Sequence, residues 1–532
     1  MASVAILGVS CSRLLNLESE TSVTTNYLQT DKEGLKRAIA GLYVYERDNI
    51  VDNSNEKGIV ILPQLFDFNT DIILFNAGNW AAVARLTTLT PDSGVLEDYW
   101  KFWYAIIGRA NEIIASSADL GLDDPDVRRV HAEACLFRAR AYFELYKRFE
   151  RIYLNVEPTT VDNLGRKYAP ASKDEIFKLI KEDLDCAIEA LPYELPSNGN
   201  GVMFGMYTQA TARHVRAQVA MWEKDWDCAI SQTEDILKNA KGICELEKDP
   251  ADVFSSENLR SREVIYAYQF SKNTGGGGHL SGTALVGHPV SVFVTARYSS
   301  VSGAICSSDQ GGFGYGRDYP NRHLLDMYGP SDKRKDCFFV NDYYYNDPSS
   351  PKYGQKIKPG DSGATGSAYI TSIHPMSSKH ADFWTNADDP ERKTSFRDLI
   401  VYRLAETVLM CCEAYYHKAD NDNAVKYFNM TYERAGNAPF SGTLTLEDIL
   451  DEYARELNFE GVRWPLLKRL GLLGEYCRKW EGESQSENNW LDKDYTYARQ
   501  NFVIGKHECW PIPSNQILLM GGSEVYPQNN GW

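Results

Sequence analysis

The feature that most constrains the fold is a helical repeat of apolar residues that runs through most of the first half of the chain. Apolar side chains recur every three to four residues over 99–116 and again over 126–150, the spacing of one face of an α-helix. Ser172 and Glu175 form a capping box at the start of a third such segment, which stops at Pro192. The pattern predicts long amphipathic helices that must pack on one another.

Two further segments, 208–222 and 226–240, are predicted to form a pair of helices joined by a short polar turn. Small residues and tryptophans share their faces, so the helices approach closely while large rings fill the space between them. A degenerate copy of this pair follows at 405–418 and 423–435. The sequence therefore predicts a mostly α fold with a tetratricopeptide-like helical repeat scaffold.

The middle of the chain breaks this pattern. Residues 263–270 alternate as a β-strand does, and the side chains predicted to share one face are Val264, Tyr266, Tyr268 and Phe270. The stretch 271–397 is rich in Gly, Ser, Pro, Asp and Tyr, and an irregular stretch of that length is usually functional. We predict one helical body with a large irregular, loop-rich insertion that carries a few short strands. The predicted divisions are a tether at 1–26, an N-terminal helical scaffold at 27–262, a ligand-binding insertion at 263–396 and a C-terminal part of the same scaffold at 397–532.

Charge and cysteine content exclude several classes of protein. The formal net charge of -17 argues against nucleic acid and against electrostatic attraction to an anionic membrane. The eleven cysteines include no C-x-x-C pair, so the sequence predicts neither a disulfide framework nor a zinc site. Those in helical, core-like patterns, which we expect to be buried, are Cys135, Cys186, Cys228, Cys411 and Cys412.

The N-terminus carries a short apolar run at 4–9, followed by Ser10 and Cys11. This pattern is typical of the end of a lipoprotein signal, with Cys11 as the residue that is acylated after cleavage. The run is short for a complete signal, and no basic region precedes it. The alternative interpretation is a disordered N-terminus with a chance cysteine.

Few sequence patterns point to catalysis or to a cofactor. The glycine run 275–278 lacks the Lys and Ser/Thr of a phosphate loop, and His374 and His380 are weak candidates for a metal site. Glu456, Glu460 and Arg463 have the spacing of one helix face, which we interpret as a charge network closing a helix at Gly461. No cofactor, no metal and no catalytic residue is predicted.

Several motifs resemble the SusD/RagB family of nutrient-binding outer-membrane lipoproteins. The most specific are 402–414 (YRLAETVLMCCEA) and 455–464 (RELNFEGVRW). Weaker matches lie at 133–143, 183–192, 511–513 and 526–529. The resemblance thus runs nearly from end to end.

The resemblance implies a lipid anchor in the outer membrane, exposure at the cell surface and no catalysis. It also implies a partner, a TonB-dependent, SusC-like outer-membrane barrel to which the ligand is delivered. The expected ligand is an oligosaccharide, because sugars need flat aromatic rings beside polar hydrogen-bonding groups. A peptide ligand, as in the RagB branch, is the first alternative, and a glycosidase on a helical barrel is the second.

Two segments are predicted to bind the ligand, since each sets aromatic residues among polar, helix-breaking ones. The first is 66–85, with Asp71, Asn76, Asn79, Trp80 and Arg85. The second is the insertion, with Tyr298, Tyr315, Tyr319, Phe383 and Trp384. Trp80 and Trp384 are the leading candidates, because an indole offers the broadest flat surface.

Overall fold

The computed structural model describes most of the chain. The described residues are 31–48, 67–75, 80–163, 165–195, 197–198, 201–202, 205–255, 260–272, 279–281, 284–358, 361, 372–481 and 498–532. Cys11, Asn76 and Asn79 therefore lie outside the described residues.

Helices dominate the N-terminal half, as the periodicity predicts. They are α1 (Lys32–Asp48), α2 (Ala81–Arg85), α3 (Gly94–Leu120), α4 (Pro125–Phe149), α5 (Lys173–Ala190), α6 (Gln209–Glu223), α7 (Trp226–Asn239) and α8 (Pro250–Val253). The capping residues explain where three of them begin. The Asp124 side chain accepts from the amides of Asp126 and Val127, while Ser172 and Thr208 each open a capping box.

The C-terminal helices are α12 (Leu404–His417), α13 (Asn421–Tyr432), α14 (Leu446–Leu457), α15 (Arg463–Arg469), α16 (Leu473–Trp480), α17 (Ala498–Asn501) and α18 (Ser514–Leu519). Consecutive helices pack on each other from α3 to α7, and α7 packs directly on α12. Helices from before and after the insertion are thus neighbours in space. The mostly helical, tetratricopeptide-like fold class is confirmed. Among the described helices, none combines the length and the apolar composition that crossing a lipid bilayer requires.

The insertion contains short elements instead of long helices. Its helices are α9 (Val290–Val294), α10 (Arg322–Asp326) and α11 (Arg334–Cys337). The strands within the described residues are β1 (Ile73–Phe75), β2 (Ser197–Asn198), β3 (Gly201–Val202), β4 (Val264–Tyr268), β5 (His279–Ser281), β6 (Ala284–Val286), β7 (Asp318–Pro320), β8 (Phe339–Val340), β9 (Met376–Ser377) and β10 (Leu399–Arg403). They form two-stranded antiparallel sheets: β1–β7, β2–β3, β4–β10, β5–β6 and β8–β9.

The β4–β10 ribbon joins the two ends of the insertion. Tyr266, Tyr268 and Phe270 are buried, but Ile265 and Ala267 on the opposite face are buried as well. The prediction of a strand in this stretch is confirmed for Val264–Tyr268, and both of its faces carry buried side chains. The ribbon lies between the helices and the insertion, so both of its faces are covered.

The insertion also has an apolar core of its own. Tyr298, Tyr343 and Tyr345 are buried there, together with Ile357 and Met376. Tyrosines that look like loop residues in the sequence thus serve as the core of a loop-rich region, where no long helix supplies aliphatic side chains.

The cysteine predictions divide according to position on the helices. Cys135, Cys411 and Cys412 are buried, as predicted. Cys186 and Cys228 are only half-buried, so the expectation of core positions is wrong for these two.

Candidate functional site

Strand pairing brings the two predicted ligand-binding segments together. β1 pairs with β7 so that Ile73 lies opposite Pro320 and Phe75 lies opposite Asp318. β1 and β7 are more than 200 residues apart in sequence, yet they share this edge. The C-terminal end of β1 and the N-terminal end of β7 therefore lie side by side.

In the first segment, the aromatic and acidic candidates are structural. Trp80 is 1% exposed and packs between Phe68 and Trp510, with ring centroids 6.2 Å and 5.9 Å away. Asp71 is fully buried, and its two carboxylate oxygens accept from Arg463 at 2.9 Å and 2.5 Å. Neither side chain presents a surface to a ligand, so these two predictions are wrong.

Arg85 is the remaining described candidate of that segment. Its side chain is half-buried, and Nε donates to the carbonyl of Phe75 at 3.3 Å. This bond holds the guanidinium at the end of β1. Arg85 thus stays at the edge where the two segments meet.

In the insertion, the predicted residues divide by burial. Tyr298 and Tyr319 are fully buried: Tyr298 stacks on Tyr343 and Tyr319 stacks on His374, with centroid separations of 5.5 Å and 4.6 Å. Their predicted contact with ligand is wrong, because both rings pack the insertion's own core. Tyr315, Phe383 and Trp384 are half-buried and retain accessible surface.

The loop that carries Tyr315 is fixed against α9 by backbone hydrogen bonds. The amides of Tyr315 and Arg317 donate to the carbonyls of Val292 and Phe293 at 2.6 Å and 2.9 Å. Gly314 lies so close to α9 that a Cβ built on it would be 2.2 Å from the carbonyl oxygen of Thr295. Only glycine permits this approach, which presents the side chains of the neighbouring residues outward.

A second loop lies beside the first. A Cβ built on Gly312 would be 3.3 Å from the carbonyl oxygen of Pro390 and 3.9 Å from that of Asp382. The two loops together carry half-buried or exposed aromatic rings and cations. We name this set the aromatic loop surface, and its members are Phe313, Tyr315, Arg317, Phe383, Trp384 and Lys393.

Cations lie over the rings of this surface. The guanidinium of Arg317 is 4.6 Å from the Tyr315 centroid, and the ammonium of Lys393 is 5.1 Å from the Phe313 centroid. Such pairs orient both partners and place hydrogen-bond donors beside an apolar ring. Phe313, Arg317 and Lys393 were not predicted. In the sequence, Phe313, Tyr315 and Arg317 stand at alternate positions ahead of β7, and this pattern could have indicated that they share a face.

Trp384 also lines a cavity of about 250 Å³ between the insertion, the β4–β10 ribbon and the helices. Arg397 lies over the indole at 4.8 Å, and its guanidinium donates to the carbonyls of Ser378, Ala381 and Phe254. Burial lowers the pKa of Arg397 to about 10 and raises that of Asp398, on the same wall, to about 6. The cavity combines an indole with fixed polar groups.

Two acids are buried beside the β1–β7 edge. Asp67 and Asp318 are both fully buried, and within the described part of the chain neither carboxylate oxygen of Asp318 has a hydrogen-bond partner. Burial raises the pKa of Asp67 to about 7, against the backbone amides of Arg463 and Trp464 that lower it. Burial, and then the charge of Asp67, raise the pKa of Asp318 well above its usual value.

The charged motif at 455–464 forms a structural charge network, as predicted. Helix α14 ends at Leu457, because Phe459 and Gly461 both adopt left-handed backbone conformations. Glu456 and Glu460 then pair with Arg403, at 2.8 Å and 2.6 Å. Arg463 opens the next helix and pairs with Asp71 instead, so the prediction of one shared helix face is wrong.

The same buried network joins the insertion to the helices. We name it the ionic junction, and its members are Glu263, Arg334, Lys379, Arg403, Arg434, Glu452, Glu456 and Glu460. Burial alone would raise the pKa of Glu456, but Arg434, Arg403 and Arg334 lower it well below its usual value. A carboxylate held in this way stays ionised and is out of reach of solvent.

Comparison with known proteins decides the family. A model of the SusD family matches residues 262–532. The chain belongs to the SusD family. A second model, described as starch-binding associating with outer membrane, matches residues 39–211. The resemblance that the motifs at 402–414 and 455–464 indicate is therefore confirmed.

Relatives and solved structures agree over nearly the whole length. SusD-like protein P25 of Formosa agariphila is 21% identical, over 98% of this chain and 97% of the relative. A SusD homolog from Bacteroides thetaiotaomicron superposes with a TM-score of 0.74 at 19% identity, over 96% of this chain and 99% of that one. Surface glycan-binding protein A from Bacteroides thetaiotaomicron, solved with laminarihexaose, gives 0.70 at 18% identity, over 94% and 99%. The fold is that of the SusD superfamily.

Proposed function

We propose that this SusD-family protein binds an oligosaccharide on the aromatic loop surface and is not an enzyme. The observation that carries the proposal is the pair of Tyr315 and Arg317, at the edge where β1 and β7 bring the two candidate segments together. A sugar ring packs its C–H face on an aromatic ring while its hydroxyls bond to neighbouring polar groups. A half-exposed phenol ring beside a guanidinium has this chemistry.

The family and its members support a carbohydrate ligand. One matching family model is described as starch-binding, and one similar structure contains laminarihexaose.

The chemistry of the carboxylates supports a binding protein. A glycosidase needs two carboxyl groups beside the scissile bond, one of them a proton donor. Glu456 and Glu460 are saturated by cations in the ionic junction, and Asp67 and Asp318 are fully buried below the surface. None of these four carboxylates is placed to act on a sugar at the aromatic loop surface.

The first experiment is a binding screen of the purified protein against panels of polysaccharides and peptides, with the products analysed for cleavage. We expect a glycan to bind without turnover. Tight binding of peptides with no binding of glycans would replace the proposal with the peptide alternative, and cleavage would replace it with the glycosidase alternative.

The second experiment locates the site with the glycan that the screen identifies. Tyr315→Ala and Trp384→Ala should each weaken binding roughly thirtyfold, about 2 kcal/mol, since a central aromatic contact is lost. Tyr168→Ala is the matched control, because Tyr168 is also half-buried and stacks on Tyr153 in a different part of the fold. If both site variants bind within about twofold of the parent, the ligand binds elsewhere.

We also propose that the protein is lipid-anchored through Cys11 at the cell surface and delivers its ligand to a SusC-like, TonB-dependent transporter. The family model associated with the outer membrane supports this location. In cells that make the full precursor, Cys11→Ala should release the protein from membranes without changing its melting temperature. Acyl labelling that persists in the variant would contradict the assignment of Cys11. Failure to co-purify with a barrel from intact membranes would contradict the partner.

A further inference from the structure

Three side chains with metal-binding atoms meet on the outer part of two adjacent helices. His131 and Cys135 are one turn apart on α4, and Cys186 lies opposite them on α5. One imidazole nitrogen and the two sulfur atoms all lie within 4.8 Å of one another. None of these residues belongs to the aromatic loop surface or to the ionic junction.

The two helices are held in register beside the cluster. Arg138 donates to both carboxylate oxygens of Asp183, at 2.8 Å and 2.7 Å, and it also donates to Asn111. Arg138 is one turn after Cys135, and Asp183 is one turn before Cys186. This buried bidentate pair fixes the spacing of the helices, so the two sulfur atoms are kept close by the scaffold itself.

The imidazole is already oriented. Ser117 Oγ lies 2.8 Å from His131 Nδ1, and the same hydroxyl donates to the carbonyl of Ile113 at 2.7 Å. Because its hydrogen is used there, Ser117 accepts from an Nδ1–H group. Nε2 then carries the lone pair, and a metal-bound histidine commonly donates its other N–H in this way.

The cluster combines a buried thiol with accessible ligands. Cys135 is 3% exposed, whereas His131 and Cys186 are half-buried and open to the surface. A metal ion thus has a route from solvent, past His131 and Cys186, to the buried thiol of Cys135.

We propose that His131, Cys135 and Cys186 form a binding site for a borderline-soft transition-metal ion of the Zn²⁺ type. Two sulfurs and an imidazole nitrogen are ligands that such ions prefer. Bonds of about 2.0–2.3 Å place tetrahedral ligands about 3.5–3.8 Å apart, so each pair of the three atoms needs to approach by about 1.3 Å at most. A water molecule completes the four-coordinate site. Each thiol that coordinates releases its proton, so one Zn²⁺ displaces up to two protons.

The test uses the full chain, reduced and freed of metal, with Co²⁺ as a coloured substitute for Zn²⁺. We expect one equivalent of Co²⁺ to produce thiolate-to-cobalt charge-transfer absorption, and Zn²⁺ to displace it and raise the melting temperature. Cys186→Ser and His131→Gln change half-buried positions and should fold. Each substitution should weaken Zn²⁺ binding by more than about 100-fold. Loss of a residue that only hydrogen-bonds to a metal ligand typically costs about 10–100-fold.

Two further variants sharpen the result. Ser117→Ala keeps all three ligands and removes only the acceptor for Nδ1–H, so about a tenfold loss of affinity is expected. Cys306→Ser is the matched control, since Cys306 is a half-buried thiol in the insertion, outside the cluster. It should bind metal as the parent does.

Three outcomes would overturn the proposal. One is the absence of charge-transfer absorption in the reduced protein, and another is absorption that Cys186→Ser leaves unchanged. The third is a Cys135–Cys186 disulfide in protein taken from the cell envelope, detected by alkylation and mass spectrometry. A disulfide would mean that Cys135 and Cys186 link α4 to α5 covalently and bind no metal ion in the cell.

Discussion

The ionic junction and the aromatic loop surface both involve residues of the insertion, but they differ in chemistry and in exposure to solvent. In the junction, Glu456 meets Arg334, Arg403 and Arg434, and every one of these side chains is buried. At the loop surface, rings and cations such as Tyr315 and Arg317 stay partly in contact with solvent. The charged residues that resemble a catalytic motif in the sequence thus form ion pairs with one another. The residues that look like ordinary loop aromatics are the ones left to meet a ligand.

Glu456→Ala should have the largest effect on stability. Removing this carboxylate leaves three buried guanidinium groups without their shared counter-ion, and breaking a buried ion pair costs about 3–5 kcal/mol. We expect a loss toward the upper end of that range, measured as the free energy of unfolding in urea. A loss below about 1 kcal/mol would show that the junction is well hydrated in solution, and the contrast between the two regions would fail.

Trp80→Ala comes next and tests the burial of the first segment. A fully buried tryptophan cut to alanine leaves a large cavity, which costs about 3 kcal/mol or more. The half-buried Trp384→Ala variant is the matched control and should lose clearly less stability. If Trp80→Ala keeps the melting temperature of the parent but loses glycan affinity, Trp80 faces the ligand in solution and its core position is wrong.

Asp67→Asn should change how stability depends on pH. Burial raises the pKa of Asp67 from 3.8 to about 7 in the folded state. Between these values the unfolded chain releases this proton while the folded chain keeps it, so the unfolded state binds fewer protons. The contribution of Asp67 to stability therefore falls as pH rises from about 4 to about 7, and is constant above that range.

The amide in Asp67→Asn removes this penalty and keeps an acceptor for the backbone amides of Arg463 and Trp464. The variant should match the parent near pH 4 and exceed it at pH 8 by at most about 4 kcal/mol. Chemical denaturation at the two pH values measures the difference. A variant that is less stable than the parent at pH 8 would show that Asp67 is ionised in the folded protein and paired with a cation.

The helices were predictable because local rules determine them. Ser172, Thr208 and the acid before Pro125 begin helices where their capping chemistry requires, and apolar spacing fixes the buried faces. The exposure of loop aromatics was not predictable, because it depends on tertiary packing. Trp80 and Tyr319 are buried by contacts with Trp510 and His374, which lie far away in sequence. The pairing of β1 with β7 is equally non-local, and so is the approach of Cys186 to Cys135, which no short cysteine motif announces.

The smallest effect on stability is expected for an ion pair that is exposed to solvent. Lys181 and Glu223 join α5 to α6 at 2.8 Å, but their side chains are 32% and 23% exposed. Solvent screens such a pair, and holding two flexible side chains in one geometry costs conformational entropy, so the coupling is expected to be below about 1 kcal/mol. A double-mutant cycle of Lys181→Ala and Glu223→Ala measures it, and added salt should reduce it further. A coupling of several kcal/mol that is insensitive to salt would mean that burial is not what separates this pair from Glu456 and its arginines.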